Sequence, residues 1–170
     1  MSEFPRVTVV TPSYNQAAFI EQTLCSVLDQ DYPNLEYLVV DGASQDGSME
    51  IIQKYADRLT WWVSEPDHGQ AEAINKGFAR ASGEIVGWVN SDDLYLPGCV
   101  ASAVTVLQQN PDLVMVYGDM AALDSDGVVI NLLRSNNWNL DDLLCFEILN
   151  QPAVFMRRDA LVQAGFLETQ

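Results

Sequence analysis

The sequence predicts an α/β fold: a mostly parallel central sheet flanked by helices, with an antiparallel hairpin added late. Three features of the chain underlie this. Short runs rich in β-branched residues alternate with helical apolar patterns over the first hundred residues, as in strand–helix–strand units. The run Glu84–Asn90 reads as a buried strand that ends in Ser91-Asp92-Asp93, and ligands of open α/β sheets gather at such strand ends. Asp124-Ser125-Asp126-Gly127 has the composition of a hairpin turn.

The elements follow in order. Residues Arg6–Thr11 (RVTVVT) form a first strand, followed by a turn at Pro12-Ser13-Tyr14-Asn15. Ile20, Leu24, Val27 and Leu28 share one helical face. Leu35–Asp41 is a second strand, closed by Gly42-Ala43-Ser44, and Ser48 is placed to cap a helix reaching Tyr55. Leu59–Ser64 is a third strand. Ala71, Ile74, Phe78 and Ala81 mark a further amphipathic helix, which Gly83 interrupts before the Glu84–Asn90 strand. Pro97 suits the first turn of a helix with Val100, Val104 and Leu107 inward, and Asn110-Pro111 ends it. Leu113–Tyr117 is a fifth strand, and the Asp124–Gly127 turn leads into Val128–Leu133. Beyond it come a short helix near Leu140–Leu144, a strand at Ala153–Met156 and a helix at Asp159–Ala164, with Gly165 as its terminating glycine. The chain stops at Phe166–Gln170 without a closing element, the pattern of a truncated chain.

A chain of 170 residues with 48% hydrophobic residues is one domain with a core of its own. No apolar run reaches the ~20 residues of a membrane-spanning helix, and no signal peptide is visible. The net charge of −16 opposes binding to nucleic-acid backbones and to anionic lipid surfaces. Cys25, Cys99 and Cys145 are an odd number without metal-site spacing. Cys25 and Cys99 read as small core residues, which suits a cytoplasmic protein.

Three strand ends carry polar clusters: Thr11-Pro12-Ser13-Tyr14-Asn15, Asp41-Gly42-Ala43-Ser44 and Asn90-Ser91-Asp92-Asp93. In a parallel sheet they share one edge, and together they suit a pocket. The first offers hydroxyls and an aromatic face. The second offers a carboxylate beside a glycine that allows close approach. In the third, two adjacent acids repel each other unless a cation holds them, which points to a hard divalent metal, Mg²⁺ or Mn²⁺, and to a phosphate beyond it. Capping of the next helix is the alternative role for Asp92 or Asp93. Neither G-x-G-x-x-G after the first strand nor a Walker-type loop is present, so phosphate charge falls to the metal. Gln70, Asn75 and Lys76 lie near the start of the helix after Glu65–Gly69, and a helix start favours anions. His68, the sole histidine, reads as an exposed loop residue.

TPSYN at 11–15, DGASQDGS at 41–48, DHGQAEAINKGFARASGE at 67–84 and NSDDLYLPG at 90–98 occur in one order and spacing that resembles the family 2 glycosyltransferases of GT-A fold. Asn150–Phe155 and Ala164–Leu167 are similar to the acceptor-side half of these enzymes, so the resemblance covers nearly the whole chain. It implies one domain, with a donor half at residues 1–98 and a partial acceptor half at 99–170. It also implies a UDP-, GDP- or dTDP-linked sugar donor, a saccharide or lipid-linked acceptor, a Mn²⁺ or Mg²⁺ ion, and inverting transfer in cell-surface polysaccharide or glycolipid synthesis. The enzyme would be cytoplasmic or peripheral to the inner face of the membrane.

On this resemblance Thr11, Pro12 and Tyr14 line the nucleoside pocket and Asp41 binds the base. Gln70 and Asn75 lie near the ribose or diphosphate. Asn90-Ser91-Asp92 stands where the family has D-x-D, with Asp92 as the main metal contact and Asp93 assisting. Asn90 replaces an acid and brings no charge. The family's general base lies after the GF-L-[DE] stretch, hence beyond Gln170. Glu168 matches that stretch itself, and Asp119 reads as a sugar-pocket or turn-capping acid. The chain as it stands is therefore expected to bind donor and to transfer poorly or not at all. A non-catalytic nucleotide-sugar-binding module is the alternative. A nucleotidyltransferase would need a basic phosphate loop near the first strand, where Arg6 stands alone.

Overall fold

The computed structural model describes residues 3–124, 126–135 and 149–169. A six-stranded sheet runs in the order β3 (Trp61–Ser64), β2 (Leu35–Asp41), β1 (Val7–Ser13), β4 (Ile85–Trp88), β8 (Phe155–Arg157), β5 (Met115–Val116), with a separate hairpin of β6 (Met120–Leu123) and β7 (Val129–Leu133). Strands β1, β2, β3 and β4 are mutually parallel. β8 lies antiparallel between β4 and β5.

Period-two alternation sorts the strand side chains onto two faces. Val7, Val9, Tyr37, Val39 and Ile85 face α1 (Ile20–Leu28), α2 (Ser48–Lys54) and α4 (Cys99–Gln109), where Leu24, Ile52 and Leu107 are fully buried. Val10, Leu38 and Val86 face α3 (Gln70–Arg80) and α5 (Arg158–Ala164), through Ile74, Phe78 and Leu161. The sheet is thus covered on both sides, as the alternating pattern predicts.

Several boundaries differ from the sequence reading for local reasons. β1 continues through Pro12 to Ser13 instead of turning at Pro12. Val10 accepts from Val89 on the β4 side, so its alternate neighbour Pro12 also faces that side, where pairing with β4 stops at Val10–Trp88. The missing N–H of proline therefore leaves the β2 ladder intact, up to Ser13–Asp41. Ser48 is not a cap but the first residue of α2. Asp46 accepts from its N–H and hydroxyl, and the left-handed Gly47 (φ 101°) precedes it. Pro97 precedes the left-handed Gly98 and stands outside α4. Gly165 (φ 92°) ends α5, as expected. The Asp124–Gly127 turn joins β6 (Met120–Leu123) to β7 (Val129–Leu133), with Asp124 Oδ1 accepting from the Asp126 and Val128 N–H groups. The helix expected near Leu140–Leu144, and Cys145, lie outside the described residues.

Candidate functional site at the carboxyl edge of the sheet

The strand ends expected to converge do converge. A cavity of about 770 Å³ opens where β1, β2, β3 and β4 end, and its lining includes Pro12, Tyr14, Gly42, Asp67, Gln70 and Asp92. α3 begins on its wall, with Gln70 and Ala73 in the lining.

Each wall is built from local chemistry. Tyr14 follows the end of β1 and is 64% exposed. A Cβ on Gly42 would come within 2.9 Å of Asp67 Oδ2 and 3.2 Å of the Tyr14 ring, so only glycine lets these two side chains close over the β2 end. Asp67 Oδ1 accepts from the Gly69 N–H, which leaves Oδ2 beside Gly42. Ser13 also lines the cavity. It is buried, and its hydroxyl has no hydrogen-bond partner among the described residues. That oxygen has essentially no exposed surface and lies on the strand face of Val9 and Thr11, so it does not open on the cavity.

The acidic turn after β4 is held from beneath. Thr23, wholly buried on α1, has its hydroxyl 2.9 Å from the carbonyls of both Ser91 and Asp93. Asp92 is exposed and lines the cavity, whereas Asp93 is half-buried and outside the lining. Burial, and then the charge of Asp92, raise the Asp93 carboxyl above the usual aspartate range.

Of the residues singled out in the sequence, Pro12, Tyr14, Gln70, Ser91 and Asp92 meet at this cavity. Thr11, Asp41, Asn75 and Asp93 are not in its lining. Thr11 points into the core and bonds the Tyr37 hydroxyl at 2.9 Å. Asp41 is fully buried, and its carboxylate accepts from the Ser44 N–H and from the hydroxyls of Ser44 and Ser64. The Asn75 carboxamide is taken up by the backbone of Leu167, donating at 2.7 Å and accepting at 3.0 Å. Lys76 pairs with Glu65 at 2.8 Å. His68 is exposed and bonds Glu72, whose carboxyl its hydrogen bond lowers. Asp119 caps the Ser135 N–H rather than reaching the cavity.

Sequence reasoning passed over Asp67. Asp67 sits in an Asx-type turn before a glycine, a local role that hides a second one.

Among the described residues no three His, Cys, Asp or Glu side chains group as a complete metal site. The chain offers the Asp92 carboxylate at the cavity mouth, a hard oxygen ligand suited to Mg²⁺ or Mn²⁺ when phosphate and water supply the rest. No helix among the described residues is long and apolar enough to cross a membrane.

Comparison with known proteins adds the following. The sequence model for "Glycosyl transferase family 2" matches residues 8–143. Over 92 residues, 52% of this chain, the sequence is 44% identical to the putative teichuronic acid biosynthesis glycosyltransferase TuaG of Bacillus subtilis. Over 149 residues, 86% of this chain, it is 30% identical to an uncharacterized glycosyltransferase of Rickettsia bellii. The chain spans 36% and 21% of the lengths of these two relatives. The mannosyltransferase PcManGT of Pyrobaculum calidifontis, solved with GDP-Man and Mn²⁺, superposes with a TM-score of 0.75 at 28% identity. That match covers 98% of this chain and 48% of the mannosyltransferase.

Proposed function

We propose, for a chain that belongs to glycosyl transferase family 2, that its cavity binds a nucleotide-diphospho-sugar for inverting transfer to an acceptor hydroxyl. One observation carries the reading. Tyr14, Gly42, Asp67, Gln70 and Asp92 converge from four strand ends on a single cavity of nucleotide size. The Mn²⁺ and GDP-Man bound by PcManGT, on the same fold, support it. The relation to TuaG supports cell-surface polysaccharide synthesis as the setting.

The chain's own residues divide the work. Tyr14 offers a flat face to the base, and Asp67 Oδ2 accepts from a base N–H, as on uracil, thymine or guanine. Asp41 acts one layer below by fixing Ser44 and Ser64 around the β2 end. Asp92 would hold a Mn²⁺ or Mg²⁺ ion, and such an ion would neutralise the charge that develops on the departing nucleoside diphosphate. The attacking hydroxyl needs a carboxylate base within hydrogen-bond reach. We assign the donor half to residues 1–98, part of the acceptor half to 99–170, and the enzyme to the cytoplasm.

Thermal stabilisation by UDP, GDP, dTDP and CDP, each with and without Mn²⁺, tests the reading. At a hundredfold excess over Kd a ligand of the folded state adds about 2.7 kcal/mol, a rise of roughly 5–10 °C for a chain of this size. A metal-dependent rise with one nucleotide is expected. A cooperatively melting sample that responds to none of them would sink the proposal.

A further inference from the structure

Asn90 occupies the first position of the D-x-D-like turn, and its carboxamide is engaged on every side. Its Nδ2 donates to Asp93 Oδ2 at 3.0 Å and to Gln151 Oε1 at 2.9 Å. Its Oδ1 accepts from Gln70 Nε2 at 2.7 Å. Gln151, in the turn before β8, donates in turn to the Trp88 carbonyl at 2.9 Å.

The orientation of this chain of amides follows from its ends. A backbone carbonyl only accepts, so Gln151 presents its NH₂ to Trp88 and its oxygen to Asn90. Asn90 must then present its NH₂ to Gln151. The Asp93 carboxylate makes the same demand independently. Only the Asn90 oxygen remains, and it meets the NH₂ of Gln70, which lines the cavity. An aspartate at position 90 would set oxygen against oxygen at both the Asp93 and Gln151 contacts. Asparagine is therefore the residue this junction requires, and not an acid that has lost its charge.

We propose that Asn90 is a positioning residue. It turns Asp93 inward so that Asp92 alone of the pair faces the cavity, and it ties the cavity wall at Gln70 to Gln151 and β8. The link to donor binding rests on the function proposed above, whereas the amide network itself does not.

The first test needs no ligand. In the ¹⁵N-labelled chain, the side-chain NH₂ of Asn90 should exchange with solvent at least tenfold more slowly than that of an exposed residue such as Gln53. Gln151→Met, close in size but without the amide, should release the Asn90 amide proton that meets Gln151 and leave the one that meets Asp93 protected. Gln151→Ala is the second variant if Gln151→Met fails to fold. Unprotected Asn90 in the parent chain, or loss of Gln151 that leaves both Asn90 amide protons as protected as before, would overturn the network.

The second test reads nucleotide Kd with Mn²⁺ in Gln70→Ala, Gln151→Ala and the double variant. Gln70 and Gln151 are joined through Asn90, so their effects should deviate from multiplicativity by about threefold or more, and the deviation should vanish in an Asn90→Ala background. Multiplicative effects, or coupling that persists without Asn90, would overturn the positioning role. A parent chain that binds no nucleotide but shows protected Asn90 amides would refute the donor reading and leave the network standing.

Discussion

Asp92 and Asp93 are neighbours in sequence and opposites in environment. Asp92 stands in solvent at the cavity mouth, whereas Asp93 lies half-buried with Asn90 donating to it. Replacing Asp92 with alanine should remove the metal-dependent part of nucleotide stabilisation and leave the unliganded melting temperature within about 2 °C, because surface changes away from packing are usually within ±0.5 kcal/mol. A differential scan with and without Mn²⁺ reads both. The acidic pair was legible in the sequence because adjacent carboxylates at a strand end are chemically conspicuous. Their division of labour was not, because Thr23 and Gln151, tens of residues away, help to fix it.

Helix α3 owes its closeness to the sheet to one glycine. A Cβ at Gly77 would lie 2.4 Å from Val10 Cγ1, on the wall of a fully buried strand residue. Gly77→Ala should therefore push α3 outward and destabilise the fold by about 1–3 kcal/mol, despite the better helix propensity of alanine. Because Gln70 and Ala73 start the same helix, nucleotide affinity should fall with it. Chemical denaturation and calorimetry on one sample would test the pairing of effects. At the opposite edge of the sheet, Glu36 of β2 is 5% exposed and accepts from the Thr8 hydroxyl at 2.5 Å and from the Ser82 N–H and hydroxyl. Burial alone would raise its carboxyl, but these donors, with Arg6 beyond them, hold it below the usual glutamate range. A group with a lowered folded pKa stabilises the fold above its unfolded value and loses that contribution as pH falls through the folded one. Glu36→Gln should thus cost about 2 kcal/mol near neutral pH. The gap to the parent should close as pH drops below about 4.5, which urea titrations across that range would show. The strands and helices were legible from periodicity, since each apolar face is written locally. The Glu36 junction was not, because a lone acid in a β-branched run gives no sign of which loop will cover it.

At the scale of the whole molecule, a net charge of −16 on 170 residues means the compact state forms against its own repulsion. Adding sodium chloride from about 10 to 300 mM, which shortens the screening length from ~30 Å to under 10 Å, should raise the melting temperature. A flat or falling trend would show that local ion pairs such as Lys76–Glu65 outweigh the global field. The existence and parallel run of β1 to β4 were readable from strand–helix alternation, but their spatial order β3-β2-β1-β4 was not. Nor was the position of β8. Three residues whose hydrogen bonds run to β4 on one side and β5 on the other carry too little pattern to name their neighbours. That placement also has a consequence for how the protein is made. A ribosome releases β4 and β5 well before Phe155, so for a few seconds, at about 5–20 residues per second, the nascent chain holds two strands with no partner between them. β4 meanwhile offers an open row of backbone donors and acceptors to any other strand. Newly made chains crowded on one messenger are therefore at greatest risk of sticking to one another just before residue 157 emerges, and least once it has closed the gap.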